Sequence, residues 1–285
     1  MTSTNETNVF SYNDFYELNL NMKEEILMRG NNQSFSFERS LERINNSLYG
    51  SASYEEADDI PTKESLTFTS GKYVQCASIF IDLRGSSDLI KTQGRKSKTL
   101  ARLYRAYISE MVAIVNSFKS CKEVNIIGDC ISAMFAGDQG DEKPVIEALQ
   151  AASMCNGMME VLNVHFKKKW TEKFDEVRAG IGVALGRALV IKAGHSGTGI
   201  SDLIYMGDVV NRASKMCGLA YKEYPSHAIC VTEAVYNSAD KYIANSDTNS
   251  TYQDFLTPKF HSKHGLLYVG NFHRIAFHNW AEDNK

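Results

Sequence analysis

Residues 73–82 read YVQCASIFID, an aromatic and β-branched run that closes on an aspartate just before a glycine-containing turn. Val, Ile, Phe and Tyr fit a pleated, half-buried surface, so Tyr73 to Ile81 is predicted to be a central strand with Asp82 at its end. C-terminal to it, Leu100, Leu103, Tyr107, Met111, Ile114, Val115 and Phe118 recur at three- and four-residue steps. That period places them on one face of a helix over 99–118, lying across the sheet. Two short apolar runs follow, Glu123 to Ile127 and Cys130 to Phe135, separated by Gly128-Asp129. Gly and Asp tolerate the backbone angles of a two-residue turn, so the pair predicts a hairpin with Asp129 at its tip. Pro144 opens a second helix through Leu149, Ala152 and Met159 toward Val164, and Val177 to Leu185 reads as the next strand. Strand, helix, strand, strand, helix, strand is the ferredoxin-like βαββαβ plan, an α+β fold with helices on one face of an antiparallel sheet.

The flanks have a different texture. Residues 1–70 are polar, with amphipathic patches from Phe15 to Met28 and from Phe37 to Leu48, and are expected to form an N-terminal helical extension. Gly50 to Ser65 carries Glu55, Glu56, Asp58 and Asp59 before Pro61 and reads as a linker, which places a boundary near residue 70 and the main domain at 71–285. Beyond the βαββαβ unit come a loop with Gly194, Gly197 and Gly199, a helix from about Asp208 to Tyr221, a strand at Ala228 to Val231 and a terminal hairpin.

Bulk properties narrow the function classes. With 31 basic against 34 acidic residues the chain has a formal charge of -3, which argues against a broad cationic face for nucleic acid. Any phosphate must be held locally. The six cysteines stand singly, outside zinc or disulfide spacing, and are expected to be reduced thiols. The N-terminus lacks a signal-peptide pattern and no apolar run approaches the roughly 18 residues of a membrane span, so a cytoplasmic protein without membrane insertion is expected. His195, His261, His264 and His273 show no metal-ligand spacing and are assigned surface or packing roles. The basic run from Lys91 to Lys98 reads as a solvated loop.

Chemistry concentrates at Asp82 and Asp129. Two carboxylates at neighbouring strand ends can share divalent cations, and hard oxygen donors suit Mg²⁺ or Mn²⁺. After Asp82 the turn Leu83-Arg84-Gly85-Ser86-Ser87 offers backbone N–H groups and hydroxyls to an anion held by the same ions, as a triphosphate would be. The Walker spacing is absent.

Four runs, FIDLRGSSDL (80–89), VNIIGDCISAMF (124–135), VRAGIGVALGRALV (177–190) and YMGDVVNRASKM (205–216), resemble in order and spacing the catalytic domain of class III adenylyl and guanylyl cyclases. The resemblance implies a head-to-tail homodimer. In it, Asp82 and Asp129, with the Leu83 backbone, would hold two metal ions in one subunit, and the partner would complete the site. It also implies that the ribose 3′-hydroxyl attacks the α-phosphorus in line and pyrophosphate leaves. Asn211 falls on the family's transition-state asparagine. Four residues on, the family has an arginine where this chain has Lys215, so that role passes to Lys215 as a point charge or to neighbouring Arg212. Arg178 and, on a looser pattern, Lys263 match family contacts to the triphosphate.

Base choice rests on two further positions. The family reads adenine with a lysine four residues before the second metal aspartate and an Asp or Thr three before the glycine of the Asn-bearing helix. Guanine users carry Glu and Cys or a similar pair. Here those positions are Asn125 and Ile204, neither purine code, and an apolar Ile204 removes a contact that a purine edge needs. The chain thus resembles the pyrimidine cyclases of bacterial Pycsar antiphage signalling, which implies a cyclic-nucleotide product acting on a separate effector. Cytidylate cyclase, with CTP as substrate, is the favoured expectation, and uridylate cyclase the alternative. A purine cyclase with an unorthodox pocket and a non-catalytic regulatory domain are the rivals; a diguanylate cyclase is excluded by the missing GGDEF motif.

Overall fold

The computed structural model describes residues 34–85, 97–137, 143–170, 175–195, 200–240, 242–245 and 248–285. Four strands and two helices realise the expected unit: β2 (Ser70–Leu83), α2 (Ser97–Asn116), β3 (Cys121–Ile127), β4 (Cys130–Phe135), α3 (Lys143–Trp170) and β5 (Ala179–His195). They are preceded by α1 (Phe37–Tyr49) and β1 (Ser53–Ala57). After them come β6 (Ile200–Met206), α4 (Asp208–Leu219), β7 (Ile229–Thr232), α5 (Glu233–Ser238), β8 (Ile243–Asn245), β9 (Ser250–Thr251), β10 (Thr257–His261), β11 (Gly265–Gly270) and α6 (Ile275–Asp283). The sheet order is β10-β11-β7-β5-β2-β4-β3, with β1 on β2 and β6 on β5. Its β5-β2-β4-β3 portion is fully antiparallel, which is the ferredoxin-like order.

Period-two alternation along β2 divides the molecule into two cores. Ala77, Ile79, Ile81 and Leu83 face one way, into the cluster with Leu103, Tyr107 and Met111 of α2 and Leu149, Ala152 and Cys155 of α3. Val74, Cys76 and the half-buried Phe80 face the other way, with Ala184, Ala188 and Val190 of β5 and Val209 and Ala213 of α4. The two helices of the βαββαβ unit, α2 and α3, cover one face as expected, and α4, which follows the unit, lies on the opposite one. Gly182 permits that contact, since a Cβ there would overlap the Ala213 carbonyl and the Cys217 amide. By the same alternation Asp82 shares the α4 face with Phe80.

Four readings change. Gly50 to Ser65 is not a bare linker: Ser53–Ala57 pairs in parallel with Ser70–Val74, and Leu66, just beyond it, is 2% exposed in the second core. The strand read as ending at Leu185 continues to His195, where its second half pairs with β6 and takes in Gly194, which was expected in a loop. Gly197 and Gly199, like Phe15 to Met28, lie outside the described residues. Two helices, α5 and α6, were not anticipated. Thiols behave as expected: all six are free, and Cys76, Cys155, Cys217 and Cys230 are buried.

Candidate active site

The β3–β4 hairpin turns on Gly128-Asp129, with Ile127 paired to Cys130. Only Gly128 takes positive φ, +66°, the preference of a two-residue turn with glycine at its first central position. On the neighbouring strand Asp82 pairs with Cys130 on one side and Gly180 on the other. Asp82 and Asp129 thus meet at adjacent strand ends. Burial pushes the Asp82 carboxyl above the usual carboxylate range; the Arg84 guanidinium opposes this, Asp129 adds to it, and Lys222 opposes it again. Asp129 Oδ2 is buried with no hydrogen-bond partner among the described residues. An orphaned carboxylate oxygen beside a second, half-buried carboxylate is a donor set that fits divalent cations. Leu83, 2% exposed, can contribute only its backbone oxygen.

Arg84 has a role that the motif did not reveal. Its Nη1 donates to Asp82 Oδ2 at 3.0 Å, and its Nη2 donates to the carbonyl and the sulfur of Cys217, near the C-terminus of α4. The guanidinium lies over Gly180, where a Cβ would overlap it. Arg84 thereby ties Asp82 to the helix that carries Asn211 and Lys215. Gly85 follows with φ +68°. Ser86 and Ser87 lie outside the described residues.

On α4, Val209, Ala213, Met216 and Cys217 are buried, whereas Asn211, Arg212 and Lys215 are exposed. Asn211 and Lys215, four apart, present one face to whatever docks there. The turn of the β10–β11 hairpin carries the exposed Lys263. Its position becomes concrete through His264, whose pKa is lowered by burial first and then by His261, Lys215 and Lys263, while Glu223 opposes. Lys215 and Lys263 therefore belong to one cationic neighbourhood. Arg178, exposed just before β5, stacks over the Tyr221 ring at 5.3 Å, and its carbonyl accepts from the Arg84 amide at 2.7 Å. Tyr221 adopts φ 58°, a left-handed conformation that costs a non-glycine residue about 1–2 kcal/mol. The strained residue is thus the one whose ring carries the Arg178 guanidinium.

Asn125 lies on the Asp82 face, in the row Phe80–Ser132–Asn125. Its Nδ2 donates to Glu123 Oε1 at 2.6 Å, and Tyr205 on β6 donates its hydroxyl to Glu123 Oε2 at 2.5 Å. Ile204 alternates with Tyr205 along β6, so it faces away from it and is 44% exposed. Within one chain the partner that reaches toward Asn125 is therefore Tyr205, not Ile204. Sequence reasoning missed Glu123 and Tyr205. Glu123 was findable, since it stands two residues before Asn125 and so on the same strand face; Tyr205, from the far hairpin, was not.

The adenylate and guanylate cyclase catalytic domain model matches residues 68–254. The chain belongs to that family and is a nucleotidyl cyclase. Within the family it groups with the pyrimidine cyclases. It is 71% identical over 259 residues to a uridylate cyclase of Gulbenkiania mobilis, covering 90% of this chain and all of that one. A uridylate cyclase of Treponema porcinum is 28% identical, over 78% of this chain and 75% of its own length. The crystal structure of the adenylyl cyclase CyaB from P. aeruginosa superposes with a TM-score of 0.54 at 19% identity, over 72% of this chain and 97% of that one, which speaks to the fold. Among the described residues no helix is long and apolar enough to cross a membrane.

Proposed function

We propose that the chain is a uridylate cyclase, converting UTP to 3′,5′-cyclic UMP and pyrophosphate in a homodimer. Uracil takes precedence over the cytosine favoured from sequence on one observation, the 71% identity to a uridylate cyclase along that protein's whole length. The geometry around Asn125 supports the same choice. A carboxylate can only accept, so Glu123 must receive the amide nitrogen and thereby fixes which way the Asn125 carboxamide points. Its Oδ1 is left as an acceptor. Where Oδ1 meets the base at N3, uracil offers a donor and cytosine a lone pair, and two facing acceptors leave both unpaired at a cost of about 1–3 kcal/mol.

The remaining residues orient and neutralise. Arg178, Lys263 and Lys215 supply cationic contacts to the phosphates, and Asn211 positions the ribose so that the 3′-oxygen lies in line with the α-phosphorus. Lys215 takes the family arginine's part as a point charge, with Arg212 one residue from Asn211 on the same exposed turn. Divalent cations, Mg²⁺ or Mn²⁺, bound by Asp82, Asp129 and the Leu83 carbonyl supply Lewis-acid stabilisation of the developing charge. The cyclic product is read as a messenger to a separate effector in antiphage defence.

The test is incubation of the protein with ATP, GTP, CTP or UTP and Mn²⁺ or Mg²⁺, with products identified by mass. Cyclic UMP as the main product is expected. Cyclic CMP or a cyclic purine nucleotide as the main product overturns the base assignment, and no product from any nucleotide overturns the catalytic reading. Glu123→Gln, whose side chain can also donate, should release the Asn125 amide and bring the UTP-to-CTP ratio of kcat/KM toward unity by roughly 10-fold.

A further inference from the structure

Two histidines, His273 and His278, converge in space on a glutamate. Glu160 projects from α3, His278 lies on α6, and His273 sits in the segment that joins β11 to α6. His278 Nδ1 stands 2.7 Å from Glu160 Oε2, and His273 Nδ1 3.6 Å from Glu160 Oε1. The two imidazoles stack with centroids 4.6 Å apart. One donor atom from each residue lies within 4.8 Å of the others, and all three residues are partly buried.

We propose that Glu160, His273 and His278 form a second metal site, for a nitrogen-preferring divalent ion of the zinc, cobalt or nickel class, that clamps α6 onto α3. Donor chemistry selects the class: two neutral imidazoles and one carboxylate suit borderline transition metals, whereas Mg²⁺ prefers oxygen and retains its water. Spacing agrees. Tetrahedral zinc with bonds of about 2.0–2.1 Å requires donor atoms roughly 3.3 Å apart, and the two nitrogen–carboxylate separations bracket that value. Three protein ligands leave a fourth position for water.

The frame is already rigid without an ion. Asn156 of α3 donates to Asn271 Oδ1 at 3.1 Å and to the Phe272 carbonyl at 2.9 Å, and the Arg274 amide donates to the Ser153 carbonyl at 3.2 Å. These contacts hold the backbone on both sides of His273 against the helix that carries Glu160, so rotamer adjustment alone can close the site. No residue is shared with the Asp82–Asp129 pair. Glu160 also lines a cavity of about 430 Å³ with Arg178, Tyr221 and Asn163, so the ion would neutralise a carboxylate in the cavity that Arg178 shares.

The experiment is calorimetric titration of the full chain with Zn²⁺ and Co²⁺, without nucleotide, combined with hydrogen exchange of the α6 amides. Wild type and Asp129→Ala should both take up one equivalent of zinc at this site, with α6 protection rising. His273→Ala/His278→Ala should lose more affinity than the roughly 10- to 100-fold that follows loss of a mere outer partner, and should show no zinc-dependent protection of α6. Should the alanine pair fail to fold, His273→Gln/His278→Gln gives the same reading. Wild-type zinc uptake with no change at α6, equal uptake by the histidine variants, loss of the α6 response in Asp129→Ala, or no saturable uptake overturns the proposal.

Discussion

Gly180→Ala tests whether Arg84 is held as described. The new methyl would overlap the guanidinium and expel it, so Arg84 would lose Asp82 at 3.0 Å and both acceptors on Cys217 without being touched itself. Hydrogen bonds to charged groups contribute about 1.5–3 kcal/mol each. Here the sum is smaller than three such bonds, because the displaced guanidinium regains water and because Arg84 Nε is already buried without a partner among the described residues. A net loss of about 2–3 kcal/mol follows, offset by roughly 0.5–1 kcal/mol from the reduced freedom of the unfolded chain when Gly becomes Ala. Arg84→Ala should cost a similar amount by removing the same contacts directly. The double variant should then cost no more than Arg84→Ala alone, a coupling of about 2 kcal/mol. Chemical denaturation followed by circular dichroism measures all three, and the single variants should melt roughly 4–10 °C below wild type. Additive losses within about 0.5 kcal/mol, or an unperturbed Gly180→Ala, would refute the clamp.

Two further outcomes follow from the site and the core. If the carboxylates and Asn211 serve one site from different subunits, mixing inactive Asp129→Ala with inactive Asn211→Ala should restore roughly a quarter of wild-type activity, since half of random dimers carry one intact site of two; a mixture that stays inactive after subunit exchange counts against the shared site. Burial pushes the Cys76, Cys217 and Cys230 thiols up to about 12. The folded state therefore keeps its protons where unfolded thiols, at about 8.5, lose them, so stability should decline as pH rises past that value. At pH 8 a thiol reagent should label Cys121 and Cys130 ahead of the four buried cysteines, and rapid labelling of all six in the native protein would contradict this.

Elements whose own residues carry a period were legible. β2, α2 and the β3–β4 hairpin follow from alternation and three-four spacing, and with them came the juxtaposition of Asp82 and Asp129. β1 was hidden because SYEEA is acidic and exposed over its first four residues; its backbone pairing, not its side chains, makes it a strand. β6 was hidden because Ser201 and Asp202 interrupt its apolar pattern and its partner is the overlong end of β5. Contacts between distant segments left no local mark: the Arg84–Cys217 bonds, the Tyr205–Glu123 bond and the meeting of Glu160 with His273 and His278 depend on how elements stack.

The two-residue turn at Gly128-Asp129 sets a limit on how this chain can change. Asn125 and Asp129 occupy one short hairpin, and the face on which Asn125 lies is decided by the count of residues between strand and turn. One inserted or deleted residue within β3 would turn Asn125 and Glu123 toward α2 and α3 while leaving Asp129 at the tip. On the proposed assignment of Asn125 to the base, recognition would therefore be lost by a slip that spares Asp82 and Asp129, and variation in substrate would come through side-chain replacement at fixed length.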